Sequence, residues 1–303
     1  MPDANTMGSA PHRCQTNAAG LDRTNRPRHA ARGISGRLDM TPEYEVFAIR
    51  YATREARRHE HFIGGDPHDG PMPMDYFVWV AKNADHAVVI DIGFTAESGG
   101  KRGRRLTRDP IDALSLLGVD ARDVRDVILT HMHYDHVGNF HRFPAARFHL
   151  QEPEMHYAVG RYMRHRQLAK SFEPDDVCGV VRLNFEGRVV YRTGPGDVAP
   201  GISVVPTGGH SVGLQFVKVN TRRGIVVLAS DVTHFYENME TGRPFTTAFN
   251  VGEMLDAYDT LRAHAPSPQH IVPGHDPEVM RRYPPPRPEL EGIVVRLDVT
   301  PTS

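Results

Sequence analysis

Apolar residues along this chain occur in short runs bounded by glycine, proline and charged residues, a pattern typical of buried β-strands. In the first half these runs predict strands at 44–51, 75–81, 86–91, 127–131 and 147–150. In the second half they predict strands at 188–191, 202–205, 214–219, 224–229 and 269–272. Helical segments follow the strands in each half. The pattern therefore predicts an α/β protein in which two sheets pack together with helices outside.

Three segments carry the signals of helices. Asp109 followed by Pro110 is typical of a helix start, and this helix is predicted to end at Gly118. Residues 152–170 are predicted to form one helix with a basic face, followed by an acidic turn. The last helix is predicted over 250–261, where a capping box precedes an apolar stripe.

The first 40 residues differ from the rest of the chain. They are rich in alanine, arginine, asparagine and glycine, and they show no hydrophobic periodicity and no apolar core of a signal peptide. We expect residues 1–40 to be a disordered leader and 41–303 to be one domain, with Met40 as an alternative start. Arginines in the leader leave a targeting or nucleic-acid arm as an alternative to a solvated tail.

Net charge, the length of apolar runs and the placement of cysteines indicate which partners and which cellular compartment to expect. The formal net charge of −1 gives no overall reason to expect binding to nucleic acid or to an anionic membrane. No apolar run approaches the about 20 residues that a membrane span requires. The two cysteines, Cys14 and Cys178, lie far apart in unlike contexts, which predicts no structural disulfide and fits a reducing cytoplasm.

The densest chemistry lies between residues 130 and 139, where three histidines and an aspartate occupy six positions. His131 and His133 alternate at the end of a predicted strand, so their side chains point to the same side. Asp135 and His136 follow at a turn and a helix start, and can approach from a second direction. Imidazole and carboxylate groups are the ligands of zinc and neighbouring transition metals, and this arrangement suits two adjacent ions.

Three later strands end in further ligand-capable residues. His210 follows the strand at 202–205, Asp231 follows the strand at 224–229, and His275 follows the last strand. Each stands beside a glycine or a small residue that lets the backbone approach closely. Because strand ends at one edge of a sheet commonly form sites, we expect these residues to join the cluster.

The H-x-H-x-D-H motif at 131–136, followed in order by His210, Asp231 and His275, resembles the metallo-β-lactamase fold superfamily, and within it the N-acyl-homoserine lactone lactonase branch. Asp91-Ile92-Gly93 is similar to the D-x-G element that precedes the motif in that family. The resemblance covers about residues 42–297. It implies an αββα sandwich of two mixed β-sheets flanked by helices.

The same resemblance implies a dinuclear metal centre with two Zn²⁺ ions, or another divalent transition metal. The implied ligands are His131, His133 and His210 for one ion, Asp135, His136 and His275 for the other, and Asp231 as the bridge. Two such ions lower the pKa of a shared water, polarise a substrate carbonyl and stabilise the oxyanion. We therefore count Asp135 and Asp231 among the catalytic residues.

One position departs from the resembled lactonases, which carry a tyrosine three residues after the bridging aspartate. Here that position is His234, and Tyr236 lies two residues further. As a third catalytic residue, His234 could donate a hydrogen bond to the substrate or act as the acid for the leaving alkoxide. Tyr236 could instead swing into the site, or His234 could be structural. The departure bears on the substrate more than on the reaction class.

Residues around the cluster allow two interpretations. Asp91 can hold a metal-bound histidine through its second nitrogen, or be a plain turn aspartate. The loop between the first two strands carries histidines predicted to be solvated, namely His59, His61 and His68. Apolar side chains of the same loop either line a pocket or simply pack, namely Phe62, Met72 and Met74.

The leading hypothesis is a cytoplasmic metal-dependent hydrolase that opens a small-molecule lactone, with an N-acyl-homoserine lactone as the expected substrate and quorum quenching as the result. A homodimer remains open. The same metal ligands would also serve hydrolysis of other substrates. These alternatives are other lactones, including pyridoxolactone-like rings, other esters, and thioesters of the glyoxalase II type. An alternative of another class is an iron-dependent oxidoreductase, although the diiron proteins of this fold usually carry glutamate at the position of His133.

Overall fold

The apolar runs form the strands of two sheets in the computed structural model, which describes residues 41–302. The predicted leader over 1–40 lies outside the described residues. The strands are β1 (Glu45–Arg54), β2 (Met74–Lys82), β3 (Ala87–Ile90), β4 (Arg105–Leu106), β5 (Asp126–Ile128), β6 (Arg147–Gln151), β7 (Val189–Arg192), β8 (Gly196–Ala199), β9 (Ile202–Pro206), β10 (Gln215–Thr221), β11 (Gly224–Ser230), β12 (Ile271–Pro273) and β13 (Val294–Arg296).

Both sheets mix parallel and antiparallel strands. The larger sheet has the order β13-β1-β2-β3-β5-β6-β7, and β4 pairs with β1 outside this path. Its pairs from β3 to β7 are parallel and the others are antiparallel. The smaller sheet has the order β12-β11-β10-β9-β8, and only its β11–β12 pair is parallel.

Alternation along β2 shows how the layers are held together. Phe77 and Trp79 point into one apolar core, which they share with Phe216 of the smaller sheet. Val78 and Val80 point into a second core on the opposite face of the larger sheet. All five side chains are buried, and burial of this size contributes about 1.5–3 kcal/mol for each large apolar side chain.

Helices cover the outer faces, so the predicted αββα sandwich is confirmed. The α-helices are α1 (Ala96–Gly100), α2 (Tyr134–Val137), α3 (Glu152–Ala158), α4 (Arg166–Ala169), α5 (Pro174–Phe185), α6 (Tyr236–Thr241), α7 (Val251–His264) and α8 (Glu278–Arg282). Short 3₁₀ helices occur at Arg58–Glu60, Asp112–Leu117, Phe140–Arg142, Arg161–Arg164, Pro268–His270 and Pro288–Leu290.

The prediction of one helix over 152–170 is wrong. Gly160 takes an extended conformation, with φ of −86° and ψ of 176°, and it separates α3 from a 3₁₀ turn and the short α4. The acidic segment after it is not a turn but the start of α5. Pro174 stands in the first turn of this helix. The acidic side chains of the same turn interact favourably with the positive N-terminal end of the helix dipole.

The other helix signals are partly correct. The Asp109 carboxylate accepts backbone N–H groups of Ile111 and Asp112, but the helix it opens is 3₁₀ and ends, as predicted, at Gly118. The last predicted strand begins two residues late, because 268–270 forms a 3₁₀ turn.

Within the described chain, no helix is long and apolar enough to cross a membrane. The cytoplasmic location remains a prediction.

Candidate metal centre

The ligand-capable residues predicted from the sequence converge at the floor of an open cavity of about 610 Å³, which all of them line except the fully buried His131 and His136. They follow the ends of β5, β9, β11 and β12, and all are buried. The set is His131, His133, Asp135, His136, His210, Asp231 and His275. The structure therefore brings together every predicted ligand, in two adjacent groups.

The first group consists of His131, His133 and His210. The Nε2 atom of His210 lies 3.2 Å from Nε2 of His131 and 2.9 Å from Nδ1 of His133. Burial lowers the pKa of both His131 and His133 well below the ordinary value. Their rings are therefore neutral, which is the form that coordinates a metal ion.

The second group consists of Asp135, His136 and His275, and Asp231 lies between the two groups. One oxygen of Asp231, Oδ2, lies 3.2 Å from Nε2 of His210 in the first group. The other oxygen, Oδ1, lies 3.0 Å from Nε2 of His275 and 3.4 Å from Nε2 of His136. Asp231 thus presents one oxygen to each group, which is the position of a bridging carboxylate.

Three atoms of this centre are buried without a hydrogen-bond partner among residues 41–302. They are Nε2 of His136, Nε2 of His275 and Oδ1 of Asp231, whose mutual contacts of 3.0 and 3.4 Å lack hydrogen-bond geometry. Buried polar atoms are nearly always paired, and each unpaired one costs about 1–3 kcal/mol. Three of them facing one point fit a cation, and the nitrogen and carboxylate donors suit zinc and similar divalent transition metals.

Electrostatics of the second group point the same way. Burial opposes the charge of Asp231, but the imidazoles of His275 and His136 hold its pKa well below the usual range. Burial likewise opposes protonation of His136, yet Asp231 and Asp91 raise its pKa well above the ordinary value. The carboxylates therefore create a site for positive charge, which protons or metal ions can occupy.

Three of the clustered histidines are anchored by hydrogen bonds from their other ring nitrogen. Each donates Nδ1–H over 2.7 Å to an oxygen, His136 to the Asp91 carboxylate, His275 to the Asp75 carbonyl and His210 to the Thr247 carbonyl. Such bonds fix the tautomer and leave the lone pair of Nε2 facing the centre.

Asp91 takes the first of its two predicted roles, as the partner of His136. It also accepts the backbone N–H and the hydroxyl of Thr130, each at 2.8 Å. The backbone of Asp91 has a φ of 56°, and that of Ser230 has a φ of 47°. Both angles lie in the left-handed region, which residues other than glycine rarely adopt. Strain of this kind costs about 1–3 kcal/mol per residue and is typical of functional sites.

Glu154 was missed by sequence reasoning. It is fully buried, and its Oε1 atom accepts the N–H of Met132, between His131 and His133. Its Oε2 atom accepts the N–H of Gly213 at 2.8 Å and the hydroxyl of Ser211, beside His210. Glu154 therefore ties together the two loops of the first group. No local pattern could have revealed this role, because its partners are distant in sequence.

The loop of His210 is also held by α7. Asn250 caps this helix as predicted, but Glu253 does not complete the capping box through the Asn250 backbone. Instead its Oε2 atom accepts the N–H of Gly209 at 3.1 Å. Gly209 has a φ of 86°, and a Cβ atom there would lie 2.7 Å from the Met254 nitrogen. Only glycine fits this close approach.

His234 lies at the centre, whereas Tyr236 does not. Nε2 of His234 is 3.0 Å from Oδ2 of Asp231, and its ring stacks on Phe245 with 3.5 Å between centroids. Burial lowers the pKa of His234 to about 3, so its imidazole is neutral at neutral pH. The Tyr236 ring lies under the Arg282 guanidinium and outside the cavity lining, so the alternative of Tyr236 at the site is not supported.

The loop before β2 differs in part from its prediction. His59 and His68 are exposed, as expected, but the prediction that His61 is solvated is wrong. His61 is buried against Phe235, and its Nε2 atom lies 2.9 Å from the Met72 carbonyl oxygen. The apolar side chains mainly pack, and of the three named above only Met74 lines the cavity.

Known proteins resemble this chain in sequence and in structure. The N-acyl homoserine lactonase of Bacillus cereus is 28% identical over 170 residues, which are 55% of this chain and 62% of that protein. The N-acyl homoserine lactonase AttM of Agrobacterium fabrum is 42% identical over 191 residues, which are 57% of this chain and 66% of that protein. The chain thus spans less than two thirds of the length of these curated relatives.

Structural similarity extends further along the chain. A crystal structure of a quorum-quenching N-acyl homoserine lactone lactonase superposes with a TM-score of 0.65. The superposition covers 79% of this chain and 95% of that one, at 19% identity, and so shows a common fold. The profile of the metallo-beta-lactamase superfamily matches residues 72–281, which include every ligand-capable residue of the centre. The chain belongs to the metallo-beta-lactamase superfamily.

Proposed function

We propose that this protein is a metal-dependent hydrolase that opens a lactone ring, with N-acyl homoserine lactones as its substrates. The observation that carries the proposal is the pair of ligand groups that share Asp231 beneath an open cavity. The lactonases among its relatives support the substrate class, and quorum quenching is the biological role that follows.

We assign two divalent ions, zinc by the chemistry of the donors, to the two groups. His131, His133 and His210 would hold one, Asp135, His136 and His275 the other, and Asp231 would contact both. When bound, two such ions supply a water of lowered pKa and polarise the ester carbonyl.

The protein's own groups orient and shield this chemistry. Asp231 presents one oxygen to each ligand group, and Asp135 offers a carboxylate oxygen on the side of His275. His234 lines the cavity beside Asp231, and we propose that it donates the hydrogen bond that a tyrosine supplies in the resembled lactonases. A neutral imidazole has a single N–H, which faces the Asp231 carboxylate in this structure, so this role would require Nε2–H to donate to the substrate once metal ions hold the Asp231 oxygens.

Hydrolysis of a panel of esters tests the proposal. The purified, metal-loaded protein is assayed with N-hexanoyl homoserine lactone, a simple γ-lactone, an open-chain ester and the thioester S-lactoylglutathione. We expect the homoserine lactone to be opened with release of one proton for each ring. Turnover of the thioester alone would overturn the lactonase assignment. Turnover that depends on oxygen and bound iron would move the protein to the oxidoreductase class.

Two expectations from the sequence stay predictions. One is the homodimer, which light scattering of the purified protein addresses. The other is the cytoplasmic location, for which fractionation of cells that produce the protein is the direct measurement.

A further inference from the structure

The wall of the cavity above the ligands is rich in cationic side chains. We call this part the basic wall, and it consists of Arg54, Arg102, Arg104 and Lys170. The carboxylates that also line the cavity are Glu60 and two residues of the metal centre, Asp135 and Asp231. Whether the basic wall can bind an anion depends on how many of its four cations already have a carboxylate partner.

Two of the four cations have carboxylate partners. Arg54 forms an ion pair with Glu60, and Arg102 contacts Glu173 over 2.9 Å. The other two, Arg104 and Lys170, form no ion pair within the part of the chain that the structure describes. Asp135 and Asp231 face the ligand groups of the floor, where metal ions would take up their charge.

Arg104 is half-buried and held in place by neutral groups. Its Nε atom donates to the Tyr76 hydroxyl over 3.1 Å, and Nη1 donates to the Arg102 carbonyl over 2.7 Å. A tyrosine hydroxyl is uncharged near pH 7, so these bonds orient the guanidinium without neutralising it. The remaining N–H groups on Nη1 and Nη2 form the planar edge that matches the two oxygens of a carboxylate.

The position of Arg104 relates it to the reacting bond. The Tyr76 ring packs against the ring of His275, with 5.1 Å between centroids, and its hydroxyl contacts Arg104. One tyrosine side chain therefore spans the distance from the second ligand group to the unpaired guanidinium. Arg104 and the metal centre line the same cavity, so the acyl chain of a substrate whose ester bond lies over the centre would reach Arg104.

We propose that Arg104, with Lys170 at the rim, binds a carboxylate on the acyl side of the substrate. The preferred substrates would then be lactones with an anionic acyl chain rather than neutral alkanoyl lactones. This inference rests on the proposed function and makes it more specific. It predicts a preference that arises from one side chain and that salt weakens.

A matched pair of substrates tests the charge alone. N-succinyl homoserine lactone carries the carboxylate, and N-succinamoyl homoserine lactone replaces it by a neutral amide of the same size. We expect kcat/KM to favour the succinyl compound by about 10-fold or more, the usual effect of a charge-assisted hydrogen bond. Equal kcat/KM values for the two compounds in the wild type would overturn the inference.

Variants assign the preference to Arg104. Arg104→Met is expected to bring the ratio of the two kcat/KM values close to one, and Arg104→Lys to retain part of it, because the charge stays while the planar fork is lost. Arg105→Met is the matched control, since Arg105 follows Arg104 as the first residue of β4, is exposed and does not line the cavity. A ratio that persists in Arg104→Met, or disappears in Arg105→Met, would contradict the assignment.

Binding separates this inference from the proposed function. The ring-opened forms of both compounds are titrated calorimetrically into the metal-loaded wild type and Arg104→Met. Tighter binding of the succinyl form to the wild type alone supports the anion site, even if neither lactone is hydrolysed. Equal binding of both forms to the wild type overturns it, whatever the activity. Circular dichroism and thermal unfolding show whether each variant is folded.

Discussion

The floor and the wall of the cavity are built in opposite ways. On the floor, every ligand-capable residue is buried, and one carboxylate and two carbonyls hold three of the histidines from behind. In the basic wall, Arg104 is half-buried and Lys170 is exposed, and neither has a carboxylate partner among the described residues. A buried, hydrogen-bonded floor suits the fixed geometry that bond cleavage requires, whereas an open, charged wall suits selection among molecules. In our proposals, the floor carries out the hydrolysis and the wall selects the substrate.

The largest effect is expected where the two ligand groups meet. Asp231→Asn replaces one of the two carboxylate oxygens by an amide NH2 group, which does not coordinate a cation, and removes the negative charge. We expect kcat/KM for the best lactone to fall by about 1,000-fold or more and the metal content to drop below two ions per chain, because both ligand groups lose their shared anion. Steady-state kinetics and elemental analysis of the same sample measure both quantities.

Asp197→Asn is the control for this change, because Asp197 is exposed on β8. It should leave the rate and the metal content unchanged. If Asp231→Asn retains two ions and full activity, Asp231 does not bridge the two ligand groups and the floor does not act as a two-ion centre.

A smaller effect is expected behind the floor, at Glu154. Glu154→Gln keeps the size of the side chain but leaves one oxygen for the three donors from Met132, Ser211 and Gly213. Loss of such supporting contacts lowers metal affinity or activity by about 10- to 100-fold. Competition with a chromophoric chelator measures the affinity. Glu152→Gln, on the same helix and less buried, should change nothing. An unchanged affinity in Glu154→Gln would show that the two loops hold their positions without it.

A substitution of His234 distinguishes a hydrogen-bond donor from an additional metal ligand. His234→Gln keeps a side-chain donor but removes the ring that stacks on Phe245. If His234 acts as a hydrogen-bond donor, we expect kcat to fall by about 10-fold while two ions stay bound. The metal content of the variant decides between the roles, because a loss of one ion would identify His234 as a ligand.

The smallest effect concerns stability on the side of the wall. Asp176 lies in the first turn of α5, next to the Glu173 that pairs with Arg102, and its Oδ2 atom is buried without a partner in the described chain. Burial, and then the charge of Glu173, raise the pKa of Asp176 to about 7. The folded protein therefore holds a proton that the unfolded chain releases above about pH 4.

The stabilisation linked to this proton is complete below about pH 4 and is lost as the pH rises to about 7. Asp176→Asn removes the titration. We expect it to raise the free energy of unfolding at pH 8 by about 1–3 kcal/mol and to have a smaller effect at pH 5. Urea unfolding at both pH values measures the difference. An equal effect at the two pH values would mean that Asp176 is charged in the folded protein.

The contrast also explains what the sequence could predict. His131, His133, Asp135 and His136 share one short motif, and the other ligands stand directly after apolar strands, so local patterns were sufficient to find the floor. Glu154 and Arg104 carry no such pattern, because their roles depend on partners that only the folded chain brings near. Tertiary packing also decided the burial of His61 and the interruption of the predicted helix at Gly160.

Titration of metal into the metal-free protein measures how many ions per chain the hydrolysis requires. Zinc is added in fractions of an equivalent, and N-acyl homoserine lactone hydrolysis is measured at each step. We expect no activity without metal, and a rise that ends at two equivalents per chain. Full activity in the absence of metal, or saturation at one equivalent, would contradict a hydrolytic centre built from two ions around Asp231.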